Sequence, residues 1–280
     1  MAKRLNREIE WLKRDRPDYY AQGIKRLENG EPIDYVIGWK EFLGCKIDLS
    51  AKPLIPREET EFWVGEVLRD RFSCNEMGSL KTKTGVRSRI SGSLEKRLLT
   101  PASTSLKVLD LFSGSGCIGL AILKHCPNAH VTFAEKDPKL CQQIKKNLSL
   151  FPPTTLKKQP KGSSGRARVV KTDIFSNITG KFDVIFANPP YAATSKMNLI
   201  SPLVLKWEPK RAILAGLDGL AIIKKFLKQA KDHLRVGGKI YLEFGFGQKL
   251  AIARLLKQFG YTHYQFNKDQ FGKWRWVVIE

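Results

Sequence analysis

The sequence predicts an α/β fold: a doubly wound, mostly parallel sheet with helices on both faces. Three observations predict it. Short apolar runs alternate with helix-length amphipathic stretches from Leu106 to the C-terminus. Three runs end in or just before a polar residue, at Glu135, Asp173 and Asn188. A glycine-rich turn, DLFSGSGCIG, follows the first run. Such alternation gives βαβ units, and right-handed crossovers place helices on both sides of the sheet.

The elements follow in order. Leu5, Ile9 and Leu12 space residues 3–14 as an amphipathic helix. Residues 18–28 read as a second short helix, stopped by Asn29-Gly30. YVIGWKEFLGCKIDLS alternates like a β-hairpin arm, and TEFWVGEVLRDRF puts Phe62, Val67 and Leu68 on or near one helix face. From 73 to 105 the periodicity breaks into a basic insertion. LKVLDLF is a strand, CIGLAILKHC a helix, HVTFAE a strand and PKLCQQIKKNLSL a helix. A second basic insertion at about 151–168 precedes the strand RVVKTD, and FDVIFA is the next strand. GLAIIKKFLKQAKDHL is a helix closed by Gly237-Gly238. KIYLEFG is a strand, KLAIARLLKQFG a helix and WRWVVIE the final strand. The expected organisation is a short helical segment at 1–33, a hairpin and linker at 34–56, and the sheet domain at 57–280.

Composition narrows the function classes. The 280 residues are 42% apolar, enough for one large domain with a small appendage. The net charge of +22 favours acidic partners, nucleic acid or a ribonucleoprotein first. Much of the excess lies in and beside the two insertions, whose Ser, Gly and Pro clusters read as solvated loops. The five cysteines show no CxxC or CxxH spacing and there is no HExxH, so reduced thiols are expected and a zinc site is not. No apolar run approaches the roughly 20 residues of a membrane span. MAKRLNREIEWLKRDRPDYY has no apolar h-region and mixes acids with bases, so it reads as neither a secretory signal nor a good transit peptide.

Chemistry concentrates at the strand ends. Gly114, Gly116 and Gly119 fit G-x-G-x-x-G between a strand and a helix, where glycine lets backbone approach a ligand. Glu135 ends the next strand, where a carboxylate accepts from ribose hydroxyls. Together they point to an adenosine-type ligand, with NAD and S-adenosylmethionine both open. Asp173 and Asn188 fall on the same rim, outside the carboxyl ends of the strands. FANPPY, from Phe186 to Tyr191, then has a chemical reading. An amide or aromatic amine nitrogen has a delocalised lone pair and must be held to react. The Asn188 side-chain carbonyl and the Pro189 main-chain carbonyl can accept from such an NH₂ group. Two prolines hold those acceptors rigid and add no competing N–H, and Tyr191 offers a flat face. NAD leaves these features unexplained.

The glycine turn, the acidic second strand end and Asn-Pro-Pro-Tyr resemble class I S-adenosylmethionine-dependent methyltransferases that modify planar amino groups. DYVIGWKEFLG, LIPREETE, EPKRAILAGLDGL, LRVGGKIYLEFGFGQ and KDQFGKWRWVV are similar, in that order, to the release-factor glutamine methyltransferases. The likeness runs from about residue 34 to the C-terminus. It implies a seven-stranded Rossmann-like methyltransferase sheet, S-adenosyl-L-methionine as cofactor, and methylation of the Gln in the Gly-Gly-Gln loop of a peptide-chain release factor. Because amino-group methyltransferases of nucleic acid share the tetrad, an adenine or guanine base of RNA or DNA is the alternative acceptor.

By that resemblance the Phe112 backbone, Ser113, Gly114, Ser115 and Gly116 cradle the methionyl part of the cofactor. Glu135 holds the ribose, and Asp173 and the Ile174 backbone read the adenine. Asn188, Pro189, Pro190 and Tyr191 form the catalytic clamp for the substrate Gln, with Asn188 also bordering the cofactor. Thr60 and Glu61 close over the cofactor, and Arg57 supports their segment. The chain departs from the family's pattern at Phe112, where glycine is usual, at Glu135, where Asp is usual, and at Ile174, where Trp is common. The helical N-terminal region also looks shortened. The basic insertions point to a eukaryotic organelle homologue in the mitochondrial matrix, with the cytoplasm as the alternative. The expected partners are a release factor and, weakly, the ribosome or RNA through the basic loops. No membrane contact is expected, and the chain is expected to be a monomer.

Overall fold

The computed structural model describes residues 2–71, 105–151 and 165–280. Helices α1 (Ala2–Asp15), α2 (Tyr20–Glu28) and α3 (Ile33–Ile37) pack around Leu12, Leu27, Ile33, Val36 and Ile37. The short α3 occupies residues expected to open the hairpin. Ile33, Val36 and Ile37 are three and four apart, so one helical face buries them together. Gly38, at φ 91°, ends the turn. The hairpin follows as β1 (Trp39–Phe42) and β2 (Cys45–Asp48), joined by Leu43-Gly44 with both φ angles positive. Such turns match the twist of the paired strands.

The remaining elements alternate up to β5 and less regularly after it. They are α4 (Glu58–Arg71), β3 (Leu106–Leu111), α5 (Cys117–His125), β4 (Ala129–Glu135), α6 (Pro138–Ser149), β5 (Ala167–Lys171) and β6 (Phe182–Ala187). Then come α7 (Pro202–Trp207), α8 (Ala221–Ala230), β7 (Leu234–Glu243), α9 (Lys249–Gln258), β8 (Tyr264–Lys268) and β9 (Trp274–Ile279). The seven-stranded sheet runs β5-β4-β3-β6-β7-β9-β8. Strands β3 to β7 pair in parallel, and β9 is antiparallel to both neighbours. The two-residue repeat of each strand divides the core. Val108, Val131, Phe133, Val184, Phe186 and Tyr241 pack on one face with the hairpin, α4 and α5. Leu109, Leu111, Ile185, Ala187, Ile240 and Leu242 pack on the other with α8 and α9.

Three further details differ from the sequence reading. Gly237-Gly238 does not close α8, which ends at Ala230; the pair lies inside β7, where the register against β6 shifts. The seventh strand, β8, lies at the sheet edge with Tyr264 and Gln265 exposed, so it carries little apolar periodicity. Ala167 belongs to β5 and not to the second insertion, one residue before the expected start of the strand at Arg168. The first insertion lies outside the described residues except at its last position, as does the second from 152 to 164. Cys45, Cys117, Cys126 and Cys141 are buried thiols. Among the described residues no helix is long and apolar enough to cross a membrane.

Candidate active site

Five parallel strands end on one rim, and the chain's polar strand ends gather there. After β3 the backbone turns through Phe112, Gly114 and Gly116 at φ 65°, 54° and 83°. A Cβ on Gly119 would lie 2.3 Å from Phe133, so this glycine lets α5 sit against β4. Phe112 adopts the left-handed conformation without being glycine, at a cost of about 1–2 kcal/mol. Its ring packs edge-on to Phe226 at 6.2 Å, which offsets part of that strain. The Ser113 hydroxyl donates to the Asp110 carbonyl at 2.7 Å, so it braces the turn from beneath.

Asp110 itself is buried and accepts from the Gly119 N–H at 2.9 Å. Burial pushes its pKa up to about 7. The folded state therefore holds the proton more tightly than the unfolded chain does. Stability from this group is present at low pH and falls as pH rises from about 4 to about 7. Asp110→Asn is expected to remove that fall. The unfolding free energy of the variant relative to wild type should rise by about 2–4 kcal/mol between pH 4 and pH 8. Urea unfolding across that range checks it, and a difference independent of pH contradicts it.

Glu135 ends β4 with both oxygens held. Oε2 accepts from the Gly114 N–H at 2.9 Å and Oε1 from the Asp137 N–H at 2.8 Å. Burial raises its pKa, and the Gly114 hydrogen bond opposes that rise. Each oxygen keeps a lone pair, so the carboxylate can still accept two hydroxyls. Asp137 caps α6 through the Lys139 N–H and pairs with Arg211. Asp173 stands exposed on the rim beside Lys136, at 2.8 Å. Ile174 is buried at φ 55°. These residues fit an adenosine-bearing cofactor: open space at Gly114, a carboxylate fixed at the end of β4, and an acid with an apolar neighbour one strand further out.

The Asn-Pro-Pro-Tyr segment leaves β6 with Pro189 buried and Asn188 and Tyr191 half-buried. Its geometry depends on a residue the sequence reading assigned no role, Glu243 at the end of β7. Glu243 is buried and its Oε2 accepts from the Thr60 hydroxyl and the Trp63 indole, each at 2.7 Å. Its Oε1 accepts from the Tyr191 hydroxyl at 3.1 Å. Burial raises the Glu243 pKa against these donors, and burial likewise pushes the Tyr191 phenol up. The Asn188 Nδ2 donates to Thr60 Oγ1 at 3.2 Å. The Tyr191 carbonyl accepts from Gln248 Nε2 at 2.9 Å, and Gln248 Oε1 accepts from the Gly245 N–H at 2.8 Å.

Segments far apart in sequence thus close on the tetrad. Glu208 accepts from the Ile55 N–H at 3.0 Å and from Arg57 at 2.7 Å, which ties the Thr60 segment to the loop after α7. Thr60 reaches the tetrad and Arg57 anchors its segment. Glu61 does not face the rim: its Oε1 accepts from the Leu43 N–H at 2.8 Å, in the hairpin turn. Helical spacing sends adjacent side chains about 100° apart, and here Thr60 turns to the tetrad while Glu61 turns to the hairpin. A signal for Glu243 was available, since it is the one acid in KIYLEFG and interrupts the apolar run 240–244. Trp63, Gln248 and Glu208 had no such signal.

Comparison with known proteins places the chain. The family model "Methyltransferase small domain" matches residues 90–206. The release factor glutamine methyltransferase of Streptococcus pneumoniae is 30% identical over 264 residues, covering 94% of this chain and 78% of that protein. The enzyme of the same name from Francisella tularensis is 32% identical over 247 residues, covering 88% and 73%. Among solved structures, the hMettl16 catalytic domain bound to an RNA hairpin superposes with a TM-score of 0.55. It is 15% identical and covers 85% of this chain and 75% of that one, a likeness of fold alone. With the identity spread over most of both chains, this protein belongs to the release factor glutamine methyltransferase family.

Proposed function

We propose that this chain transfers a methyl group from S-adenosylmethionine to the side-chain amide nitrogen of the Gln in a release factor's Gly-Gly-Gln loop. The observation that carries the reading is the tetrad, fixed by Glu243, Thr60 and Gln248 on the rim that holds Glu135 and the glycine turn. Membership of the family supports the choice of Gln over a nucleic-acid base.

The cofactor supplies a methyl group activated on a sulfonium. Gly114, Gly116 and the Phe112 backbone would border its methionyl part, Glu135 its ribose, and Asp173 with Ile174 its adenine. The chain's own work is positioning. Asn188 Oδ1 and the Pro189 carbonyl accept the two amide hydrogens of the substrate Gln, and Tyr191 packs against its plane. Pinning both hydrogens fixes the lone-pair direction of a weakly nucleophilic nitrogen. That nitrogen would take the methyl group as its bond to sulfur breaks, with S-adenosylhomocysteine as the leaving group, and one amide proton would pass to water, so no protein base is required. The named relatives are bacterial. They lend no support to the mitochondrial placement expected from the basic insertions, and the chemistry requires no particular compartment.

The test is incubation of the protein with methyl-labelled cofactor and a release factor, wild type or with the loop Gln replaced. Label is expected on the wild-type factor alone. Equal label on both, or label only on added RNA or DNA, overturns the reading.

A further inference from the structure

We infer that Glu243, acting through Thr60, decides which end of the Asn188 side-chain amide faces the substrate. The inference rests on the proposed amide methylation for its functional meaning, but its geometry stands alone. An asparagine amide has an acceptor end and a donor end of nearly the same shape. Only the acceptor end can hold an NH₂ group. Something must stop Asn188 from turning over.

The hydrogen-bond directions are forced one after another. Trp63 Nε1 can only donate, and it donates to Glu243 Oε2 at 2.7 Å. That oxygen is therefore an acceptor, and two donors converging on it favour the form with no proton there. If burial leads Glu243 to take up a proton, the proton sits on Oε1, which faces Tyr191. Thr60 Oγ1 lies 2.7 Å from the same Oε2, so with the carboxylate ionised or its proton on Oε1 the one threonine hydrogen points at Glu243. The threonine oxygen then has only lone pairs left for Asn188, 3.2 Å away. It accepts from Nδ2, and Oδ1 is turned to the other side. A flipped Asn188 would set its carbonyl against a threonine lone pair and offer its NH₂ to the NH₂ of the substrate.

Glu243 and Thr60 are thus positioning residues: they hold Asn188 in the acceptor sense and do not themselves touch the reacting atoms. Tyr191 is held by the other oxygen of the same carboxylate, so one buried acid fixes both ends of the tetrad. The residues come from α4, the end of β6 and the end of β7, and the relay exists only when all three are packed together.

Two variants of one side chain test this. Thr60→Val keeps the shape and removes the hydroxyl; Thr60→Ser keeps the hydroxyl. With S-adenosylmethionine and release factor, Thr60→Val is expected to lower kcat by about 100-fold with cofactor Kd changed by less than about three-fold. Thr60→Ser is expected to recover at least about ten-fold of that loss. Serine no better than valine overturns the inference whether or not the valine variant folds well, as does a valine variant with near wild-type kcat. A second readout needs no acceptor. In ¹⁵N spectra the Asn188 side-chain NH₂ should be protected from solvent exchange in wild type and Thr60→Ser and lose protection in Thr60→Val. Equal exchange in all three contradicts the relay. If wild type shows this protection pattern and yet methylates no release factor, the proposed substrate fails while the relay stands.

Discussion

Asn188→Ala is expected to lower kcat by about 10²–10³-fold while S-adenosylmethionine still binds within a few-fold of wild type. The asymmetry follows from where the side chain is held. Asn188 is fixed from the Thr60 side, whereas the other acceptors and backbone proposed for the cofactor lie along the ends of β3, β4 and β5. Alanine removes the side-chain carbonyl that would hold one amide hydrogen and leaves the Pro189 carbonyl holding the other. The substrate nitrogen can then rotate, and its lone pair loses its aim. Single-turnover label transfer, with calorimetry for the cofactor, separates the two effects. Turnover near the wild-type rate refutes the assigned role.

Gly219→Ala is expected to destabilise the fold by about 2–4 kcal/mol and to cost about 100-fold in kcat. An added Cβ would lie 2.2 Å from the Tyr191 carbonyl oxygen and 3.0 Å from the Ala193 nitrogen, both backbone atoms. It would also lie 2.8 Å from Gln248 Nε2, the donor that holds that carbonyl. Relief requires moving Tyr191, and the clamp moves with it. Gly237 supplies the control. It has a similar φ, 75° against 76°, but an added Cβ would meet nothing within 4 Å. Gly237→Ala should therefore show only the conformational cost, about 1 kcal/mol, with kcat little changed. Urea unfolding and kcat for the two variants check this. Equal effects at Gly219 and Gly237 contradict a steric role beside the tetrad.

The parallel half of the sheet was readable because its strands are short, apolar and bounded by helices of helical period. The core partition follows from that same repeat, with Val108 and Leu109 on opposite faces. The β8 edge strand was not readable, because an exposed edge has no apolar face to announce it. Gly237-Gly238 misled for a related reason: the signal for a helix stop and the signal for a strand irregularity are the same residues. At the site, Asn188, Glu135 and the glycine turn were legible from their strand-end positions. Their supports were not. Glu243 meets Thr60 across 183 positions of sequence and Arg57 meets Glu208 across 151, and such pairings exist only once the chain is folded. The resemblance puts Thr60 beside the cofactor, and its hydrogen bonds to Glu243 and Asn188 add a role that only the folded chain shows.

The central claim is that this rim delivers a methyl group to one amide nitrogen, and peptide mass mapping tests it most directly. Release factor treated with the protein and S-adenosylmethionine would be digested and fragmented. The account predicts the mass of one added methyl group on the side chain of the Gln in the Gly-Gly-Gln peptide, absent when the Asn188→Ala variant replaces wild type. Methylation at any other residue, or on that Gln to the same extent with Asn188→Ala, would contradict it.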